Sequence, residues 1–279
     1  MSTEAYARTF RATFRSNFVS QLRYYTLTGW VLAVLLGSLF LLASAAVIVN
    51  FLTGGAAPER FVTLTGYPSY LAFAVLGLAA NGLALSALDD GGSAVYDEES
   101  EGTWDLLALT PMNRFVWMFS KTMAGMTASF VDFFVVLLVG TVAFRLGLRL
   151  DALPVALAGL ALTLVGLQGF GFVMAAVGLK WKQPHAVAII LSPIIVFVSG
   201  MLFPVEALPA WVRVVSEGFP LTHGLRILRD ALLLGRSFAE LAPVFGKLAL
   251  TGGTLMVVGF TSFKAMERRA LRAGGLGKY

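Results

Sequence analysis

An all-α, polytopic membrane protein crossing the bilayer six times is the fold class that three features of this 279-residue sequence predict. Apolar runs long enough to cross a hydrocarbon core of about 30 Å, which takes about 20 helical residues, recur along the whole chain. Apolar residues make up 57% and charged residues only 13%, a profile that separates a multi-pass membrane protein from a water-soluble domain. The short alternating strands of a β-barrel are missing, and backbone in lipid must satisfy its own polar groups, so each run is expected to be a helix.

The six runs cover 29–52, 69–88, 121–144, 153–179, 186–203 and 243–263. The first starts too late and is too long for a signal-peptide core, so it is expected to stay as an anchor. The chain has no cysteine, which excludes disulfides and thiolate metal sites. Without repeats or low-complexity tracts, residues 1–279 read as a single domain.

Ahead of the first run, within residues 3–25, Tyr6, Phe10, Phe14 and Phe18 fall on one helical arc. Arg8, Arg11, Arg15 and Arg23 fall on the other, and only Leu22 is out of place. Such a helix suits the membrane interface, aromatics down and guanidiniums among the headgroups; it equally suits a helix packed on the protein's own base.

The basic residues set the orientation. With the N-terminus in the cytoplasm, the inner flanks hold Arg8, Arg11, Arg15, Arg23, Arg114, Lys121, Lys180, Lys182, Lys264, Arg268, Arg269, Arg272 and Lys278. The short outer loops keep only Arg60, Arg145 and Arg149, so both termini are expected inside. The net charge of +5 is then topology and attraction to anionic membrane lipid, and no nucleic-acid partner is expected.

The connection 96–113 is the most polar stretch between two apolar runs. Asp97, Glu98, Glu99 and Glu101 lead into a helical run, where acids complement the positive helix end. On a helical wheel Glu101, Asp105 and Ala108 form a narrow polar stripe, and Trp104, Leu106, Leu107 and Leu109 leave the rest apolar. Pro111 stops that run, and can open the next helix at its first turn. Physics alone leaves two readings open, a solvated acidic loop and a helix that docks on a partner.

A resemblance bears on that choice. The stretch "EESEGTWDLLALTPMNRFVWMFSK" resembles the cytoplasmic loop of ABC type-2 export permeases, through Glu98, Glu99, Glu101, Gly102, Thr103, Asp105, Leu106, Leu107, Pro111, Arg114 and Lys121. Many members carry a basic residue among the leading acids, where Glu99 and Ser100 stand here. A second block, "SGMLFPVEALPAWVRVVSEGFPLTHGLRILRDALLLG", is similar to the segment between the family's fifth and sixth spans, through Phe203, Pro204, Leu208, Pro209, Trp211, Pro220, Leu221, Thr222, Arg229 and Gly235. Here three prolines cut residues 204–242 into helices too short to span, which are expected to lie at or dip into the outer leaflet as an outer gate.

The resemblance implies a coupling helix that inserts into a separate ABC ATPase subunit, with Trp104 among its contact residues. It also implies a second permease chain, identical or related, and residence in the cell (inner) membrane of a prokaryote. No phosphate-cradling Gly-x-x-x-x-Gly-Lys-Ser/Thr run occurs, so ATP and magnesium are expected on the partner ATPase and no cofactor on this chain.

Three polar side chains fall inside the spans. Asp132, near the middle of the third, either lines a substrate or ion path or makes a helix contact. Gln168 and Asn81 read rather as amides that hold helices together. His185 and His223 fall at opposite membrane faces, so no shared metal site is expected. Two other functions remain to be weighed. A stand-alone secondary carrier would use Asp132. An intramembrane hydrolase would need a nucleophile beside a base, and no catalytic pair is visible.

Overall fold

The computed structural model describes residues 3–23, 27–53, 57–103, 110, 112–181 and 183–272. Among them the chain forms helices without a strand. In order these are α1 (Thr3–Arg23), α2 (Leu27–Thr53), α3 (Glu59–Thr65), α4 (Tyr70–Ser100), α5 (Arg114–Phe144), α6 (Leu153–Trp181), α7 (Pro184–Val198), α8 (Ala210–Glu217), α9 (Pro220–Leu234) and α10 (Phe238–Arg272). Two short 3-10 turns, Leu150–Ala152 and Val205–Ala207, precede α6 and α8.

Five helices are long and apolar enough to cross a membrane: α2, α4, α5, α6 and α10. The fifth expected run is the exception. α7 has 15 residues, about 22 Å at 1.5 Å per residue, and falls short of a bilayer core. Its chain turns at Gly200, whose φ is 73°, so residues 199–203 leave the helix instead of completing the crossing expected for 186–203.

The second span also differs from expectation, by running on to Ser100 instead of ending near residue 88. The polar residues that looked like its end have partners. Ser86 donates a hydrogen bond to Asp90, and His185 Nδ1 lies 2.6 Å from Asp89 Oδ1. Gly91 and Gly92, which read as a loop, are a crossing point: a Cβ on Gly91 would lie 2.5 Å from Gly171 Cα of α6, and one on Gly92 would lie 3.1 Å from Pro184 Cβ.

α4 is the central pillar, with 72% of its span buried against 17% for α5 and α10, which leaves most of those two outside the chain's own core. Leu76, Leu83 and Leu88 of α4 meet Phe133 of α5, Leu167 of α6 and Leu228 of α9 in the main core. A smaller core at the α1 end gathers Val95, Trp117, Met118, Phe172 and Phe263. α6 continues the small-residue packing on its other side, where Gly166 faces Gly252 and Gly169 faces Met256 of α10. Lipid tails are as apolar as leucine, so helices in a bilayer gain by close backbone approach rather than by escaping water.

α1 turns its aromatic stripe onto the protein. Phe10, Phe14 and Phe18 stack in series at 5.8 and 5.9 Å, and Phe10 meets Phe119 of α5 at 6.4 Å, while Arg8, Arg11 and Arg15 are exposed.

Of the short helices expected to lie at or dip into the outer leaflet, α9 packs inside the protein. Its first residue, Pro220, needs no N–H at that position, and from there to Leu233 all side chains but Arg226 are buried, packed among α4, α6 and α10. Its neighbour α8 instead presents an apolar face outward, with Trp211 74% and Val214 75% exposed.

Adding a methyl at the α4–α6 crossing tests this packing. Gly91→Ala is expected to cost about 1–3 kcal/mol and to lower the thermal midpoint of the detergent-solubilised protein. Gly253→Ala, whose Cβ would meet nothing within 4 Å, is expected to be neutral or stabilising by up to about 1 kcal/mol.

Candidate functional site

The residues singled out by sequence fall at three levels: the α1 end, the middle of the helices and the opposite end.

At the α1 end, α4 stops by a glycine-based motif. Gly102 takes a left-handed φ of 72°, and the N–H of Thr103 donates to the carbonyl of Glu98 at 2.9 Å, the six-residue closure typical of such caps. The Thr103 hydroxyl also donates to the Glu98 carboxylate. That carboxylate accepts from Lys121 Nζ at 3.0 Å, and the same ammonium donates to the Ala94 carbonyl at 2.8 Å. Asp97, Glu98 and Glu99 therefore sit in the last turn of α4, at the negative end of its dipole rather than at the start of a new helix; Lys121 neutralises the corner.

The helix after the connection opens at Arg114, not at Pro111. The Asn113 side chain caps it, accepting from the backbone N–H of Phe115 at 2.9 Å and of Val116 at 3.3 Å. Arg114 pairs with Glu267 near the end of α10. Glu101 and Gly102 are exposed, and with Asp97 and Thr103 Glu101 borders a polar hollow of about 590 Å³ against Ser16 and Asn17 of α1. Trp104, Asp105, Leu106, Leu107 and Pro111 lie outside the described residues.

In the middle of the helices, Gln168 is buried and joined to α5: Thr122 Oγ1 donates to its Oε1 at 2.5 Å, and its Nε2 lies 3.2 Å from Met126 Sδ. Asp132 and Asn81 are not joined to Gln168. Each has a buried oxygen without a protein partner, and both border a cleft among α2, α4 and α5.

At the opposite end the buried Arg229 organises the proline-rich segment. Its guanidinium donates to the carbonyls of Gly200 at 2.9 Å, Met201 at 2.7 Å and Phe73 at 3.1 Å, and lies 3.4 Å from the centre of the Phe73 ring. Burial pulls its pKa down to about 9, while the neighbouring Tyr67, Glu206, Tyr70 and Asp230 hold it up, so it remains charged at neutral pH. Gly77 makes room for it, since a Cβ there would lie 2.7 Å from Arg229 Nη2. Next to it, the Tyr67 hydroxyl donates to Asp230 at 2.6 Å, and Arg236 donates to the other Asp230 oxygen at 2.9 Å. Burial, then the Asp230 charge, raises the Tyr67 pKa, which keeps the phenol a donor.

Around this centre Pro204 is buried and precedes the 3-10 turn, Pro209 precedes α8 and Pro220 begins α9. Phe203, Pro209 and Trp211 are exposed, so the six residues expected as an outer gate divide into a buried frame of Pro204, Pro220 and Arg229 and an exposed rim. His223 Nε2 lies 2.9 Å from the Glu217 carbonyl, and its Nδ1 is a buried atom without a partner, the pattern of a neutral imidazole. Burial holds its pKa below the ordinary histidine value, against the upward pull of Glu217.

Sequence reading missed Tyr67, Gly77, Asp90 and Asp230. For Asp90 a signal existed, a carboxylate one turn after Ser86 beside a glycine pair; for Tyr67 and Gly77 the partners lie too far along the chain to be read.

This arrangement of apolar helices, a polar corner at one end and a proline-cut re-entrant segment at the other, agrees with comparison to known sequences. A family model described as ABC-2 type transporter matches residues 4–233. The chain belongs to that family, whose members are transport permeases of the membrane. Nodulation protein J of Rhizobium leguminosarum bv. trifolii is 26% identical over 233 residues, covering 78% of this chain and 81% of that protein. The putative transport permease ycf38 of Cyanophora paradoxa is 27% identical over 177 residues, 62% of this chain and 59% of that one.

Removing Arg229 strips donors from three buried carbonyls. Arg229→Met is expected to destabilise by about 3–5 kcal/mol. Tyr67→Phe, which leaves Asp230 paired with Arg236, is expected to cost about 1–3 kcal/mol in the same thermal-unfolding assay. His223 adds a pH dependence. Below about pH 6.5 the unfolded chain protonates this histidine more readily than the folded one, so stability falls with falling pH. His223→Gln is expected to flatten that decline in melts between pH 7.5 and pH 5.

Proposed function

We propose that the chain is the membrane-spanning subunit of an ATP-driven exporter, driven by a separate ABC ATPase that binds at the α1 end. The observation that carries this is how the two helix ends at the α1 end are fixed. α4 closes at Gly102 and α5 opens at Asn113, Lys121–Glu98 pins the two helices to each other, and Arg114–Glu267 pins α5 to α10. A load applied to these ends meets anchored helices. It is passed to α4, the most buried helix, and to α5, and so to the cleft between them.

In this assignment Glu98 and Thr103 shape the end of α4, Glu99, Glu101, Trp104 and Asp105 offer polar and aromatic contacts, and Leu106 and Leu107 are the apolar face that the ATPase covers. Family membership supports an ABC ATPase and a paired permease as partners, with ATP and magnesium bound on the ATPase. α1 then lies at the cytoplasmic interface, with its exposed arginines toward headgroups, both termini are cytoplasmic, and the 204–242 segment stands at the outer face of a prokaryotic inner membrane. Phe203 and Trp211 form the rim of that outer gate.

A carrier that works without an ATPase competes with this assignment because Asp132 has an unpartnered oxygen inside the membrane. Transport into vesicles that persists on a proton or sodium gradient with no ATPase present would favour it.

Co-purification with the co-expressed ATPase checks the docking face: the Leu106→Asp, Leu107→Asp double variant is expected to lose the ATPase while remaining membrane-integrated, and unchanged co-purification overturns the assignment. The cysteine-free chain also permits a topology assay. A cysteine introduced at Ser100 is expected to react with a membrane-impermeant maleimide only in inside-out vesicles, and one at Ala210 only from the outside of intact cells.

A further inference from the structure

The cleft among α2, α4 and α5 has a volume of about 390 Å³, within the range of small-molecule sites. Its walls are mostly small or aliphatic, with Ala33 and Gly37 of α2 exposed at its mouth and Val136 of α5 deeper in. Only three polar side chains border it: Ser38, Asn81 and Asp132. No basic side chain is among its described lining residues, and the buried Oδ1 atoms of Asp132 and Asn81 accept no hydrogen bond from the described residues.

Asn81 also borders a second cleft, of about 410 Å³, on the α7 side of α4, where Pro193, Phe197 and Phe203 form an apolar wall. One side chain of α4 thus joins a site with an uncompensated acid to a hydrophobic trough. A charged group placed in such surroundings is retained at the cost of its hydration unless a partner of opposite sign arrives, and the described residues that line the cleft supply none.

We propose that Asp132 and Asn81 form a cargo subsite for the cationic nitrogen of an amphiphilic amine or quaternary ammonium, whose hydrocarbon portion lies along the Phe197–Phe203 wall. The carboxylate supplies the charge, the Asn81 oxygen an additional dipole, and the aromatic wall shields the alkyl part from water. A bare metal ion does not fit this chemistry: the cleft offers one carboxylate, and no cluster of three His, Cys, Asp or Glu occurs among the described residues. An anionic guest is repelled by Asp132, and a neutral lipid leaves its charge unanswered.

Calling the guest cargo rests on the exporter assignment; its binding does not. The test therefore starts with the purified permease in lipid nanodiscs without any ATPase, titrated with dansyl-labelled dodecyltrimethylammonium and with an uncharged dansyl dodecylamide of equal length. Wild type is expected to bind the cation at least tenfold more tightly than the amide. Asp132→Asn, nearly isosteric and checked for monodispersity, is expected to lose that preference while binding the amide as before, and Asp132→Glu is expected to keep most of it. Asn81→Leu is expected to weaken the cation severalfold. Equal affinities for cation and amide in wild type, or an unchanged preference in Asp132→Asn, overturn the subsite.

The second measurement uses the co-purified ATPase complex. Stimulation of hydrolysis by the cation in wild type but not in Asp132→Asn supports cargo. A complex with active ATPase that binds the cation and does not respond to it overturns the cargo assignment. If no ATPase assembles with the chain, the exporter assignment falls while the binding result stands.

Discussion

One guanidinium holds the architecture at the end opposite α1. α7 is too short to cross a bilayer alone, so the chain must leave helical geometry at Ser199 while still packed inside the protein, and the last carbonyls of a helix have no partner of their own. Irregular backbone at membrane depth is tolerated only where its polar groups are answered. Arg229 answers the carbonyls of Gly200 and Met201 and adds that of Phe73, so a single side chain of α9 ties α4, α7 and the proline-rich segment together. α9 is buried because Arg229 has to reach this break, and Gly77 leaves the guanidinium room beside α4. Tyr67, Asp230 and Arg236 extend the same network to the surface.

The α1 end is built on a different constraint. There the long helices α4 and α5 end among polar side chains. Gly102 and Asn113 provide sharp, capped ends, and Lys121 and Arg114 bind those ends to neighbouring helices. Between the two ends lies the glycine-lined seam of α4, α6 and α10, stiff because backbone rests on backbone. Helices held this firmly at one end are suited to transmitting motion along their length, which supports the exporter role proposed above. The cleft beside Asp132 lies between two of those arms, α4 and α5, and is lined besides by α2, which is only 24% buried over its span and so has surface left for lipid or a second chain.

Several elements were legible in the sequence for reasons that can be named. The aromatic stripe of α1 and the apolar runs of α2, α5, α6 and α10 obey helical periodicity or simple length, which are local properties. The family was legible because its two motif blocks stand in order along the chain. Other elements were not. Gly91 and Gly92 look like a loop until Gly171 and Pro184 are placed against them. The run 186–203 looks like a full span, because composition does not register that Gly200 turns the chain. The proline-cut segment reads as short helices at or dipping into the outer leaflet, and how far α9 is buried depends on where α4, α6 and α10 leave space for it.

Composition and hydropathy thus determined by themselves that this protein is a helical, multi-pass membrane protein, because transfer between water and lipid is additive over neighbouring residues; the two motif blocks added the permease family. Tertiary structure alone decided which helix is central, which polar groups are satisfied, and that Asp132 and Asn81 keep open oxygens where Gln168 does not. Those outcomes depend on hydrogen bonds and van der Waals contacts between residues tens to more than a hundred positions apart, which become neighbours only when the helices pack.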